Sequence, residues 1–272
     1  MRVIREAAVA GLFYPDEPSL LKSDVQYRLS HCLPDGRTDV DGQIVPKALI
    51  VPHAGYQYSG DIAAQAYATL APHYQKIKRV LLLGPSHRVG FRGIAFCGAD
   101  AYHTPLGDVP VDQRAFCQIS DLPRVTILDD AHRLEHSLEV QLPFLQCLLP
   151  TFSIVPLIVG DASTGEVSNV LDALWGGPET LIIISTDLSH FLNDETARKL
   201  DQTTRQAIEQ LAPEDIEYEQ ACGRNPVKGL LDVAQRKSLS VTTLAMGNSA
   251  DTSGDTSRVV GYGAWALYER TA

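Results

Sequence analysis

Short runs of consecutive apolar residues, each bounded by charged or turn-forming positions, recur along the chain at 47–52 (KALIVP), 79–84 (RVLLLG), 93–97 (GIAFC), 152–160 (FSIVPLIVG) and 180–186 (TLIIIST). Runs this short that do not alternate predict strands buried on both faces. Between several of them apolar positions recur at helical spacing, over 59–70, 135–149 and 195–211. Continuous strands alternating with helices predict an α/β fold with a mainly parallel or mixed central sheet and helices on both faces. Towards the end, 238–246 and 257–270 read as β-branched strands around a polar loop, a closing antiparallel pair at one side of the sheet. The Pro-Asp-Gly and Asp-Gly pairs of 32–43 predict a surface connection, and TPLG at 104–107 predicts a type I turn.

Composition narrows this picture. The 272 residues show no internal repeat and suit one large domain spanning 1–272. With 23 Lys and Arg against 33 Asp and Glu the net charge is −10, and no basic run stands out, which argues against a nucleic-acid partner. Charges at Arg2, Arg5 and Glu6 leave no apolar leader segment, and no apolar run approaches the roughly 20 residues that cross a bilayer. A soluble, cytoplasmic protein with no membrane partner is expected. The five cysteines include no CxxC pair, so neither a disulfide framework nor a zinc knuckle is indicated.

The candidate chemistry sits where strands end. KALIVP runs into His53, RVLLLG into Pro-Ser-His87, and TLIIIST into Asp187, Leu188, Ser189 and His190. One histidine after a strand is ordinary loop punctuation. Three such exits from one parallel sheet would gather along the edge where open α/β folds bind ligands, and imidazole serves equally as metal ligand and as proton carrier. Cys222 precedes Arg224, Asn225 and Pro226, where Asn as N-cap and Pro at the first helical position predict a helix start. The helix terminus and Arg224 would both favour a thiolate there.

The segment AHRLEHSLEVQLPF (131–144) is the densest in chemistry. On a helix His132 and His136 would share a face with Glu135 between them, and HRLEH fits the H-x-x-E-H zinc-protease pattern. The simpler reading gives Leu138, Leu142, Leu145 and Leu149 a buried stripe, Pro143 a kink or an end, and Glu135 and His136 the first turn. Tyr56 and Tyr58 are candidate pocket residues. No Walker A loop, G-x-G-x-x-G or G-x-S-x-G is present.

VAGLFYP (9–15), PHAGYQYSG (52–60), LGPSH (83–87), TPLG (104–107), EHSLEVQLPF (135–144), STDLSH (185–190) and CGRNP (222–226), in that order, resemble the MEMO family, related in fold to the class III extradiol dioxygenases. The resemblance implies a dioxygenase-like α/β fold with a non-haem metal site. It makes His53, His87 and Cys222 the ligands and puts Asp187 and His190 beside open coordination positions. In an enzyme of this kind His190, oriented by Asp187, would serve as acid or base, with His136 assisting from the adjoining helix. Asn225 stands where the eukaryotic member has a histidine. The implied cofactor is one transition metal ion, iron(II) first, with copper or zinc as alternatives that a soft thiolate would favour. Two readings of function follow. One is a metal-dependent redox or oxygenase-type enzyme acting on a small molecule; the other is a non-catalytic adaptor using the same cleft for a peptide or partner protein. A third, zinc hydrolysis through HRLEH, requires His132 at the metal.

Overall fold

The computed structural model describes residues 2–32 and 45–269, so the connection expected at 32–43 lies, beyond Cys32, outside the described residues. The described strands are β1 (Ile4–Arg5), β2 (Ala48–Val51), β3 (Arg79–Pro85), β4 (Ile94–Phe96), β5 (Ala101–Thr104), β6 (Gly107–Pro110), β7 (Val125–Ile127), β8 (Ser153–Val159), β9 (Thr180–Ser185), β10 (His190–Leu192), β11 (Ser240–Asn248) and β12 (Val259–Tyr268). The helices are α1 (Pro18–Cys32), α2 (Tyr56–Ala68), α3 (Gln113–Ile119), α4 (Asp129–Arg133), α5 (Leu142–Leu148), α6 (Thr164–Leu174), α7 (Asp194–Glu209), α8 (Arg224–Arg236) and α9 (Ala250–Ser253).

Nine strands form the main sheet in the order β10-β12-β2-β9-β3-β8-β4-β7, with β11 also on β12. Its centre is parallel, because β2 pairs with β9, β9 with β3 and β3 with β8 in the same direction. Antiparallel strands flank it: β4 against β8 on one side, and β12 against β2 on the other, where β11 and β10 also join β12 antiparallel. The sheet is therefore mixed. Every residue of β2 and β9 is buried. Successive side chains of a strand point to opposite faces, so both faces of the sheet are covered. Helix α2 lies against β2 and β12 and carries α1, whereas α8 lies against β3 and β9 and carries α6.

Because β2, β3 and β9 run in parallel, their carboxyl ends leave the sheet at one edge, and the residues that follow them meet there. The α2 helix begins at Tyr56, earlier than its apolar spacing suggests, directly after Gly55.

Residues 135–149 do not form one helix. After α4 ends at Arg133 the chain turns, passes through a single 3-10 turn at Glu139–Gln141 and enters α5 at Leu142. The Glu135 carboxylate accepts from the backbone N–H groups of His136 and Ser137, each at 2.9 Å. A side chain that captures these donors competes with helix formation. Pro143, which has no N–H to give, stands in the first turn of α5 and starts that helix instead of kinking it. Leu138, Leu142, Leu145 and Leu149 are buried as the stripe requires.

A small sheet, β1-β5-β6, carries the N-terminal segment, its hairpin turned by Pro105 and Leu106. Buried Arg5 pairs with buried Glu139, whose carboxylate also accepts from the Ala8 and Val9 N–H groups and the Tyr14 hydroxyl. This ties VAGLFYP to the 135–141 turn and sets the Phe13 ring 4.8 Å from that of His136.

Candidate metal centre

His53 leaves β2, His87 leaves β3, and His136 stands in the turn that crosses their ends. Nitrogen atoms of the three lie within 4.8 Å of one another, so these imidazoles could hold a metal ion.

The partners of His53 fix its tautomer. The Ser185 hydroxyl donates to Ser137 O at 2.6 Å and accepts from Gln141 Nε2 at 2.9 Å. Its remaining role toward His53 Nδ1, at 2.9 Å, is to accept. The proton is therefore on Nδ1, and Nε2 keeps a free lone pair. Complete burial, with the neighbouring imidazoles adding to it, holds this histidine neutral well below its usual titration range.

His87 is held the same way. Its Nδ1 donates to Glu135 Oε1 at 2.8 Å, and its backbone N–H donates to the other carboxylate oxygen at 2.6 Å. Burial works against ionised Glu135, but the bonds from His87 and from the Ser137 backbone prevail and hold it at about 2. A carboxylate or hydroxyl behind the ring is the usual support of a metal-ligating imidazole, so the donor set fits an ion. Burial, partly offset by Glu135, brings His136 down to about 4.

The rings are not equivalent in direction. His53 stands edge-on to both others, at 79° and 89°, whereas His87 and His136 are stacked, 4.6 Å apart and 28° from coplanar. A ligand lone pair lies in its ring plane. The three ring nitrogens nonetheless stay within reach of one ion.

Cys222 lies just before α8 with its sulfur 3.3 Å from His53 Nε2. Its backbone N–H donates to Asp187 O, and the sulfur accepts from the Asp187 N–H at 3.3 Å. With no ion bound, burial, and then the Asp187 charge, push the thiol up to about 12, against the pull towards thiolate expected of the helix terminus. The Arg224 guanidinium stacks 4.6 Å over the Tyr218 ring. The helix starts one residue before Asn225, with Gly223 preceding it, and the Asn225 amide donates to Gly160 O instead of capping.

Asp187 accepts from the His53 backbone N–H at 2.7 Å and is almost wholly buried. That burial, only partly answered by backbone donors, brings its carboxyl to about 7. His190 is oriented by the Leu188 carbonyl, to which its Nδ1 donates at 2.7 Å, rather than by Asp187 as the sequence suggested. Its Nε2 is left as an acceptor, and burial lowers its titration. His136, Asp187 and His190 line one cavity of about 500 Å³ together with Phe13, Tyr58 and Tyr262; Cys222 and Arg224 line a second, of about 510 Å³. Tyr56, by contrast, is buried with its hydroxyl on Val140 O.

His132 is turned away from all of this. Tyr102 OH lies 2.6 Å from its Nδ1 and Ala95 O lies 3.0 Å from its Nε2, so neither ring nitrogen is free, and the zinc-protease reading fails. The α4 helix stops at Arg133, so His132 and His136 never share a helical face. Ser185 and Gln141 were not singled out in the sequence; the only local signal was polar residues beside otherwise apolar runs.

Residues 5–266 match the family model described as Memo-like protein. The chain belongs to this family. Curated MEMO1 family proteins resemble it along nearly their whole length: that of Methanobrevibacter smithii is 34% identical, covering 96% of this chain and 98% of the relative. That of Thermotoga neapolitana is 35% identical with the same shares, and that of Aquifex aeolicus 34% identical with 95% and 97%. Among solved structures, an uncharacterized protein from Escherichia coli K12 aligns with a TM-score of 0.51 at 12% identity, covering 80% of this chain and 98% of that one. That likeness shows a common fold. Among the described residues no helix is long and apolar enough to cross a membrane.

Proposed function

We propose that this Memo-like chain is a metal-dependent redox or oxygenase-type enzyme acting on a small molecule. The observation that carries the reading is the convergence of His53, His87 and His136, with nitrogens within 4.8 Å, beside a cavity of about 500 Å³, a size suited to a small organic ligand. Two supports speak for His53, His87 and Cys222 as the ligands. His53 Nε2 has its lone pair 3.3 Å from the Cys222 sulfur, and the Asp187 backbone N–H donates to that sulfur at 3.3 Å and fixes it beside the ring. His136 then remains for proton handling. The proposed ion is iron(II), with copper or zinc the choice a thiolate would otherwise favour.

A bound redox-active ion would supply electron transfer and a Lewis acid at the cavity wall. The chain supplies the rest. Asp187, balanced at about 7, can hold or release a proton at its carboxyl oxygens. His190 can accept one at Nε2. Phe13, Tyr58 and Tyr262 give the cavity apolar surface.

The test is anaerobic loading of purified protein with Fe(II), Cu(I) or Co(II), reading stoichiometry by metal analysis. One ion per chain is expected, lost in the His53→Ala, His87→Ala double variant; undiminished binding there removes the proposed centre. Cys222→Ser should abolish a thiolate-to-cobalt charge-transfer band while His136→Gln keeps it, and the opposite pattern assigns the third ligand to His136.

A further inference from the structure

We propose that Arg258 anchors the carboxylate of a small organic monoacid with an apolar body, bound in the cavity shared by His136, Asp187 and His190. This rests on reading that cavity as the substrate site.

Arg258 lines the cavity, immediately before β12. Its guanidinium lies 4.3 Å over the Phe191 ring, and among the described residues no carboxylate pairs with it. Two other arginines differ. Arg198 pairs with both Asp194 and Asp251, and Arg236 with Asp172 and Asp232. The nearest acid in sequence, Asp255, accepts at Oδ1 from the Ser257 N–H and hydroxyl and makes no ion pair with Arg258. An arginine held by an aromatic platform with its N–H fork unspent is suited to bidentate capture of a planar anion.

The platform is itself built at some conformational cost. Phe191 has φ +63°, a left-handed conformation unfavourable for a bulky side chain, and the residue is 60% exposed. It occupies an irregularity in the β10–β12 pairing, where His190 faces Val260 and Leu192 faces Val259 with one residue left over between them. Such bulges re-aim side chains beside functional sites. Here the His190 ring meets the Phe191 ring edge-on at 5.6 Å, and Arg258 covers that ring. One backbone irregularity thus fixes the candidate base and Arg258 together.

The charge inventory selects the ligand class. The cavity offers one guanidinium, and the acids Asp187 and Asp255 also face it. A monoanion is matched by Arg258, whereas the second charge of a dianion would meet carboxyls. Phe13, Tyr58, Val260 and Tyr262 offer apolar surface to the remainder of the molecule.

The test is calorimetric or NMR titration of the intact chain, with and without added Fe(II), using phenylacetate, its neutral isostere phenylacetamide, and phenyl phosphate. Phenylacetate should bind about tenfold or more tightly than phenylacetamide, and Arg258→Ala should erase that ratio while the surface control Arg236→Ala keeps it. Arg258→Lys should restore part of it. Equal binding of acid and amide, no binding of either, or a ratio unchanged in Arg258→Ala overturns the proposal, and tighter binding of phenyl phosphate makes this a dianion site instead. Metal content of the same samples separates the two readings. Arg258→Ala should keep its ion, so a lost preference with metal retained concerns the anchor alone. Absence of metal binding with the carboxylate preference intact would sink the metal centre alone.

Discussion

Glu135 shows how one carboxylate organises the centre. It accepts from the His87 ring and from the backbone N–H groups of His87, His136 and Ser137. An amide cannot accept on both sides, so Glu135→Gln should weaken metal affinity by about 10–100-fold, measured by competition with a chelator. His132, only three residues earlier, has a structural role, with both ring nitrogens engaged by Tyr102 and Ala95. His132→Ala should cost about 2–3 kcal/mol in urea unfolding, by leaving buried partners unsatisfied, and should leave metal stoichiometry unchanged. The sequence marked His132, Glu135 and His136 as chemically dense but could not sort them. That depends on Tyr102 and His87, each tens of residues away.

Among elements, the strands were the most legible. KALIVP and TLIIIST became β2 and β9 within a residue or two, because so short a continuous apolar run, rich in β-branched residues, suits a strand covered on both faces. The helix expected over 135–149 was not one helix, since the Glu135 side chain took N–H groups that the helix would have needed. The start of α8 is set by close approach. A Cβ at Gly223 would lie 2.7 Å from Thr186 Cβ and 2.9 Å from Ser185 O, where β9 ends. Gly223→Ala should therefore push the start of α8 and Cys222 away from His53. The expected result is a loss of about 1–3 kcal/mol in stability, read by urea unfolding, together with a weaker thiolate-to-cobalt band.

Across the whole molecule, the burial of imidazoles at the centre and beneath β4 makes the metal-free fold sensitive to acid. His132 and His136, each at about 4 when folded against 6.5 for the free side chain, with His53 shifted the same way, take protons more readily unfolded than folded. Their contribution is present above pH 6.5 and is lost as pH falls towards 4. Asp187 works in the opposite sense. Its folded value of about 7 against 3.8 means that it stabilises in acid and that this stabilisation is lost as pH rises through 7. Three groups outweigh one, so the melting temperature of metal-free protein should drop between pH 6.5 and 4. In Asp187→Asn, which lacks the offset, it should drop more steeply. Differential scanning fluorimetry across buffers checks both slopes; a flat profile would contradict the buried, neutral state of the imidazoles.

The sequence by itself determined where the strands lie and which reactive side chains follow them, because strand periodicity is a local property and a buried run must end somewhere. It also carried the family motifs. Tertiary structure alone decided which of those side chains meet, which ring nitrogen holds the proton, and that among the described residues Arg258 has no carboxylate partner. The Ser185 that sets the tautomer of His53 is 132 residues away, and the Glu135 that holds His87 is 48 away. Hydrogen-bond direction and desolvation are properties of such distant neighbours in space, and no pattern along the chain encodes them.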